Sequence, residues 1–147
     1  MSDFFDAIDV SASALSAERL RMNTISSNLA NAQTTRTPEG GPYRRKDPVF
    51  ESVPTRDFAS ELQDKMGGGA LHEVKVADVV SDTGAPKMVY EPGHPDANAD
   101  GYVAYPNINT MEEMVNLITA SRTYEANVTA MNVSKDMMNK ALDIGRK

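Results

Sequence analysis

All eight prolines and every glycine except Gly145 fall between Gln33 and Asn109, so the helix breakers of this chain are confined to its middle. Two long end segments are left free to run as uninterrupted helices, and the part between them must be built from turns and short extended pieces. The first segment, Asp3 to about Ala32, opens on Ser2, Asp3 and Asp6, a cap and first-turn acids that suit a helix N-terminus. Along it Ile8, Leu15, Met22 and Leu29 recur every seven residues, with Phe5, Ala12, Ile25 and Ala32 beside them and Arg19 and Ser26 as interruptions. The second segment starts at Thr110, where T-M-E-E predicts a capping box closed by Glu113, and runs to about Ile144. Its stripe passes through Met114, Leu117, Ser121, Tyr124, Val128, Met131, Lys135, Met138 and Leu142 in alternating steps of three and four. Both ends thus carry coiled-coil seams.

Short apolar alternations in the middle predict strands at Tyr43–Val53, weakened by Pro48, and at Glu73–Val80, Lys87–Glu91 and Gly101–Tyr105. None is long enough to stand alone, so one small sheet is expected. From Pro54 to Ala70 the chain is polar and ends in three consecutive glycines, the pattern of a mobile linker. The fold class is therefore mainly α with a small β region: an N-terminal assembly helix over 1–33, a β and loop region over 34–109 holding the linker 54–70, and a C-terminal assembly helix over 110–147.

Composition narrows the functions. A net charge of −6 opposes binding to nucleic acid or to an anionic membrane surface. The absence of cysteine excludes disulfides and thiolate metal sites. Acids stand in M-S-D-F-F-D-A-I-D-V where a cleaved signal peptide has basic residues, and no apolar run reaches membrane-spanning length. Trp is absent and aromatic residues make up 6%, which limits the core that one copy can bury. A marginal helical pair around a small β body is expected to fold fully only on assembly.

No catalytic, cofactor or metal residues are predicted. D-A-N-A-D-G at 96–101 matches the first half of an EF-hand loop, but Asn107 stands where the bidentate Glu belongs and Pro92, Gly93 and Pro95 forbid the entering helix. An Asx-rich turn leading into the strand at Tyr102 is the reading of that segment, and calcium should have no specific effect. His72 and His94 have no partner at metal-binding or catalytic spacing and read as solvated loop residues. No nucleophile elbow, phosphate loop or dinucleotide fingerprint is present, so no small-molecule substrate is expected. Arg44, Arg45 and Lys46 form the one tight basic run, suited by default to a solvated strand face and otherwise to an acidic neighbour or anionic peptidoglycan. Glu125 and Lys135 lie on or beside the second seam, as register-setting charges or as snorkelling side chains. Met111, Met114, Met131, Met137 and Met138 concentrate adaptable side chains on the second helix.

I-S-S-N-L-A-N-A-Q-T-T at 25–35 resembles the N-terminal signature of the flagellar rod and hook (axial) protein family, Asn28 and Asn31 belonging to its S-N-x-A-N pattern. An Asn pair at a helix end can also cap carbonyls or tolerate a left-handed turn. G-G-P-Y-R-R-K-D-P-V-F at 40–50, H-E-V-K-V-A-D-V-V at 72–80, V-Y-E-P-G-H-P at 89–95, G-Y-V-A-Y-P-N-I-N at 101–109 and the run from Glu112 to Leu142 are similar, in order, to proximal-rod members of that family. Asp47 and Pro48 inside a strand, and an enlarged linker, are local departures. The resemblance implies a non-enzymatic structural subunit of the basal-body proximal rod that transmits motor torque and is required for motility. It implies terminal helices paired as an antiparallel coiled coil in a helical tube, and type III export without a cleaved signal peptide to a rod in the periplasm. The implied partners are copies of itself, other rod proteins, membrane-ring proteins and export-gate adaptors. The expected assembly interface is Ile8, Leu15, Met22, Ile25, Asn28, Leu29, Asn31, Met114, Leu117, Tyr124, Val128, Met131, Met138 and Leu142. Other rod or hook subunits, or a secreted calcium-binding or peptidoglycan-processing module, are the alternatives.

Overall fold

The computed structural model describes residues 2–54 and 72–145, with side chains from Ala7 onward. The caps drawn from Ser2, Asp3 and Asp6, the seam position Phe5 and nearly all of the linker lie outside the described residues or side chains. Two helices dominate, α1 (Ser2–Ala30) and α2 (Thr110–Gly145). Four strands lie between them in sequence: β1 (Lys46–Pro54), β2 (His72–Ser81), β3 (Lys87–Tyr90) and β4 (Tyr102–Tyr105). The expectation of one sheet is corrected: β1 pairs with β2 and β3 with β4 in two separate two-stranded sheets. Pro48 nonetheless sits inside β1, which as one strand of a two-stranded sheet is an edge strand, the setting in which proline is tolerated. No described helix is long and apolar enough to cross a membrane.

The start of α2 and the stop of α1 follow from local chemistry. Asn109, not Thr110, caps α2: its Oδ1 accepts the N–H of Met111 at 3.2 Å, and its carbonyl takes the N–H of Glu113 at 3.0 Å. The expected capping box is therefore corrected, because Glu113 lies one position too far into the helix to reach back, and its carboxylate is used elsewhere. At the end of α1, Asn31 Nδ2 donates to the Ser27 carbonyl at 2.9 Å and its Oδ1 accepts the Thr34 hydroxyl at 3.2 Å. Of the two ways an Asn can stop a helix, this is the carbonyl cap; among the described residues only Gly40, Gly41 and Gly101 have positive φ.

The chain divides into two compact units. One comprises Met1–Leu20, Phe50–Ala77 and Ala120–Lys147. In it Ala17 and Ala120 are buried, and the Val74 N–H donates to Ser13 Oγ at 3.1 Å, tying β2 to α1. The other unit comprises Arg21–Val49 and Asp78–Thr119 and holds most of the buried side chains: Thr24, Ile25, Asn28, Val103, Pro106 and Glu113.

The β3–β4 hairpin of this second unit pairs Tyr90 with Tyr102 and Val89 with Val103. Alternation turns Val103 inward, while the two tyrosine rings meet edge to face on the other side at 5.3 Å. Its connection is the D-A-N-A-D-G segment, folded as the expected Asx turn: Asn98 Oδ1 accepts the N–H groups of Asp100 at 3.0 Å and Tyr102 at 2.8 Å. Gly101 completes it with φ of 79°, and a Cβ there would stand 2.9 Å from the Tyr90 ring. Gly101→Ala should therefore cost about 1–3 kcal/mol, read as a lower thermal midpoint with loss of near-ultraviolet tyrosine ellipticity. An unchanged midpoint would show that the hairpin does not depend on this turn.

Candidate functional site

Where α1 ends, β1 begins and α2 begins, three segments distant in sequence are held by one side chain. Asn28 is completely buried. Its Nδ2 donates to the Lys46 carbonyl at 2.8 Å and to Glu113 Oε2 at 3.2 Å. Its Oδ1 accepts the Lys46 N–H at 2.9 Å and the Tyr43 hydroxyl at 3.1 Å. Two donors and two acceptor sites make up a carboxamide's full capacity, and all four are used. Towards Lys46 the side chain imitates a peptide unit, pairing with both backbone groups of one residue as a neighbouring strand would.

Glu113, 1% exposed, is the second half of the clamp. While Oε2 accepts from Asn28, Oε1 accepts from Arg45 Nε at 2.7 Å, and Arg45 Nη1 reaches on to Asp47. A buried carboxylate is tolerable here because a carboxamide and a guanidinium both donate to it. Burial works against the charge of Arg45, but the hydrogen bond and charge of Glu113, with Asp47 and Glu112, hold the guanidinium above its usual range. Asp47, a departure from the expected strand pattern, thus has a task.

The predicted interface residues fall into three groups. Ile25, with Asn28, is buried within the chain, and Asn31 is a cap, half-buried. Ile8, Leu15, Met22, Leu29, Leu117, Tyr124, Val128, Met131 and Met138 are half-covered, while Met114 and Leu142 are exposed. The buried positions of α1 are Ala17, Thr24, Ile25 and Asn28, of which only Ile25 is large and apolar, so the heptad of large residues at Ile8, Leu15, Met22 and Leu29 flanks the buried line. On α2 the covered row runs Glu113, Leu117, Ala120, Tyr124, Asn127, Met131, Ser134 and Met138; it shares every second member with the predicted seam and is displaced by one residue at the others. Lys135 and Glu125, candidates for seam charges, are exposed.

Of a second apolar row on α2, the sequence singles out only the methionines Met111 and Met137. Met111, Val115, Ile118, Val133, Met137 and Ile144 stand on the side of α2 opposite its covered row, each at least half exposed. Steps of four and three link the first three and the same phase returns at Val133, a signal interrupted by Arg122 and Glu125. Elsewhere in the unit, the Tyr105 hydroxyl donates to Glu91 at 3.1 Å, which holds the phenol above its ordinary range. Asp96 accepts the Thr35 hydroxyl at 2.8 Å, and the Asp96 N–H donates to His94 Nδ1 at 3.1 Å. His94 and Asp96 are thus parts of the loop's own hydrogen bonding.

Comparison with known proteins places these features in a lineage. A family model described as "Flagella basal body rod protein" matches residues 8–36, which contain Asn28 and the α1 cap Asn31. Another, "Flagellar basal body rod FlgEFG protein C-terminal", matches residues 99–144, which contain Glu113 and both rows of α2. The chain is similar to the flagellar basal-body rod protein FlgC of Bacillus subtilis, 48% identical with 97% of this chain and 98% of that one covered. It is also similar to the FlgC of Escherichia coli O157:H7, 44% identical over 94% and 95%, and to that of Aquifex aeolicus, 39% identical over 97% and 98%.

Proposed function

This chain belongs to the FlgC family of flagellar basal-body rod proteins, and from that premise we propose that it works as a proximal-rod subunit whose helices complete their packing only against neighbouring subunits. Its function is structural, as a building block of the basal-body rod. The observation that carries the assembly reading is the double patterning of α2: one row covered within the chain, and on the opposite side a row of large apolar residues left in water. Burying a side chain such as Ile118 or Met137 contributes about 1.5–3 kcal/mol, so a helix that leaves several exposed is suited to a partner.

The surface we assign to assembly is the exposed row Met111, Val115, Ile118, Val133, Met137 and Ile144, together with the half-covered Ile8, Leu15, Met22, Leu29, Tyr124, Val128, Met131 and Met138 and the exposed Met114 and Leu142. Antiparallel pairing of α1 with α2 is its local unit. Asn28 and Ile25 serve it from inside, by fixing where α1 stops against β1 and α2. We assign no catalytic role: Asn28, Asn31, His94, Asn98, Asn109 and Glu113 are engaged in caps, turns and the clamp. Copies of this chain and other rod proteins are the proposed neighbours, with membrane-ring proteins and export-gate adaptors at the rod's base. The proposed location is the periplasmic rod, reached by type III export without cleavage.

The test compares one chain in two states. In isolation, the segments at residues 2–20 and 120–145 should be cut rapidly by protease, and circular dichroism should show less helix than 29 and 36 helical residues supply. In purified basal bodies the same segments should resist. Equal protection in a dilute monomer would overturn assembly-coupled folding, and absence of the chain from basal bodies would overturn the rod reading itself.

A further inference from the structure

The basic run Arg44-Arg45-Lys46 is not one patch but two. Arg45 turns into the chain to meet Glu113 and Asp47, while Arg44 and Lys46, alternating with it, line a cleft of about 510 Å³ together with Arg36. One wall of this cleft is a pre-formed turn. Tyr43 N–H donates to the Thr34 carbonyl at 3.0 Å, Thr37 N–H to the Gly41 carbonyl at 2.9 Å, and Gly40 and Gly41 supply φ of 91° and 78°.

The three cations are under-neutralised. Arg36 approaches Asp96 no closer than 3.9 Å with its side chain 82% exposed, a pair of little worth in water. Arg44 gives one N–H to the Asp82 carbonyl at 3.2 Å. The Lys46 ammonium makes no hydrogen bond or ion pair among the described residues. Glu39 is the one acid lining the same cleft. In a chain of net charge −6, three cations gathered against one acid run counter to the general balance.

We propose that this cleft is a docking surface for a carboxylate-bearing segment of a neighbouring protein subunit. The proposal rests on the reading of this chain as an assembling subunit. Guanidinium groups match carboxylates in bidentate geometry, and a cleft of this size holds several side chains, more room than a single small anion needs. An extended polyanion such as nucleic acid would meet the chain's overall negative field.

Fluorescence anisotropy of a labelled tetra-glutamate peptide with the full-length chain at low salt tests this directly. Binding should weaken at least about tenfold in Arg44→Glu/Lys46→Glu, and at most about twofold in Arg122→Glu/Lys140→Glu, which changes net charge equally at exposed residues that do not line the cleft. Inorganic phosphate at matched ionic strength should not displace the peptide. Absence of binding, equal loss in the two variants, or displacement by phosphate would each overturn the proposal; the last would make the cleft a free-anion site. Because the readout is made on the isolated chain, failure here leaves the rod reading to its own test in basal bodies.

Discussion

Asn28→Asp, which exchanges one nitrogen for one oxygen, is expected to destabilise the chain by about 3–5 kcal/mol at neutral pH, more than removal of the whole side chain would through packing alone. The exchanged atom faces the Lys46 carbonyl at 2.8 Å and Glu113 Oε2 at 3.2 Å, so two donated hydrogen bonds become two contacts between acceptors, one of them carboxylate against carboxylate. The measurement is the shift in urea midpoint relative to the unaltered chain. The sign of its pH dependence follows from linkage. A carboxyl whose charge the folded state disfavours has a raised folded pKa, so the penalty is full above that value and shrinks as pH falls towards the free aspartate value of about 3.9. A second substitution checks the source of the effect. In Asn28→Asp/Glu113→Gln the new amide can donate to the new carboxylate while its oxygen still accepts from Arg45, and about 1–2 kcal/mol should return as coupling. A midpoint that stays put in Asn28→Asp would remove the clamp from any account of how the two helices and β1 are held.

That clamp marks the boundary of what the sequence makes legible. Two helices, four short strands and the Asx turn at Asn98 can be read because each follows from a local rule: breakers confined to the middle, period-two alternation, and an Asn-Ala-Asp-Gly run. Glu113 could not be read correctly. Three residues after Thr110 it satisfies the pattern of a capping box, and a local rule has no means of knowing that Asn28 and Arg45, 85 and 68 residues away in sequence, would claim its carboxylate. The same applies to Arg45, which a charge run presents as one of three equivalent cations. The α1 heptad of large residues was visible, but which side of a helix is covered depends on what packs against it, and small residues such as Ala17 and Ala120 permit the closest approach. Periodicity therefore locates a helix and its apolar residues well before it locates their centre of burial. The pairing of strands into two sheets was illegible for a related reason, since register and partner choice are settled by contacts far apart along the chain.

Ile118→Asp should leave the isolated chain as stable as before, within about 0.5 kcal/mol, and yet abolish incorporation into rods. Ile118 is 54% exposed and stands in the exposed row of α2 with Met111 and Val115, so within one chain a carboxylate there points into water and disturbs no covered contact. Against a neighbouring subunit the balance reverses. Loss of the isoleucine's burial removes about 1.5–3 kcal/mol, and desolvation of an unpaired carboxylate adds several more. A total near 5 kcal/mol weakens each contact by a factor of several thousand, beyond what an assembly of repeated contacts tolerates. Cells carrying the variant should make a subunit with the same stability and protease pattern as the unaltered isolated chain, fail to retain it in purified basal bodies, and fail to swim. Glu51→Gln, at an exposed position of β1, should swim normally and controls for altered expression. Leu29→Asp, at a half-buried position beside the clamp, should lower the stability of the isolated chain as well as assembly, and the contrast between the two separates a folding defect from an interface defect. If Ile118→Asp cells assemble rods at normal frequency, the exposed row of α2 is not an interface, and the reason for its apolar character must be sought outside assembly.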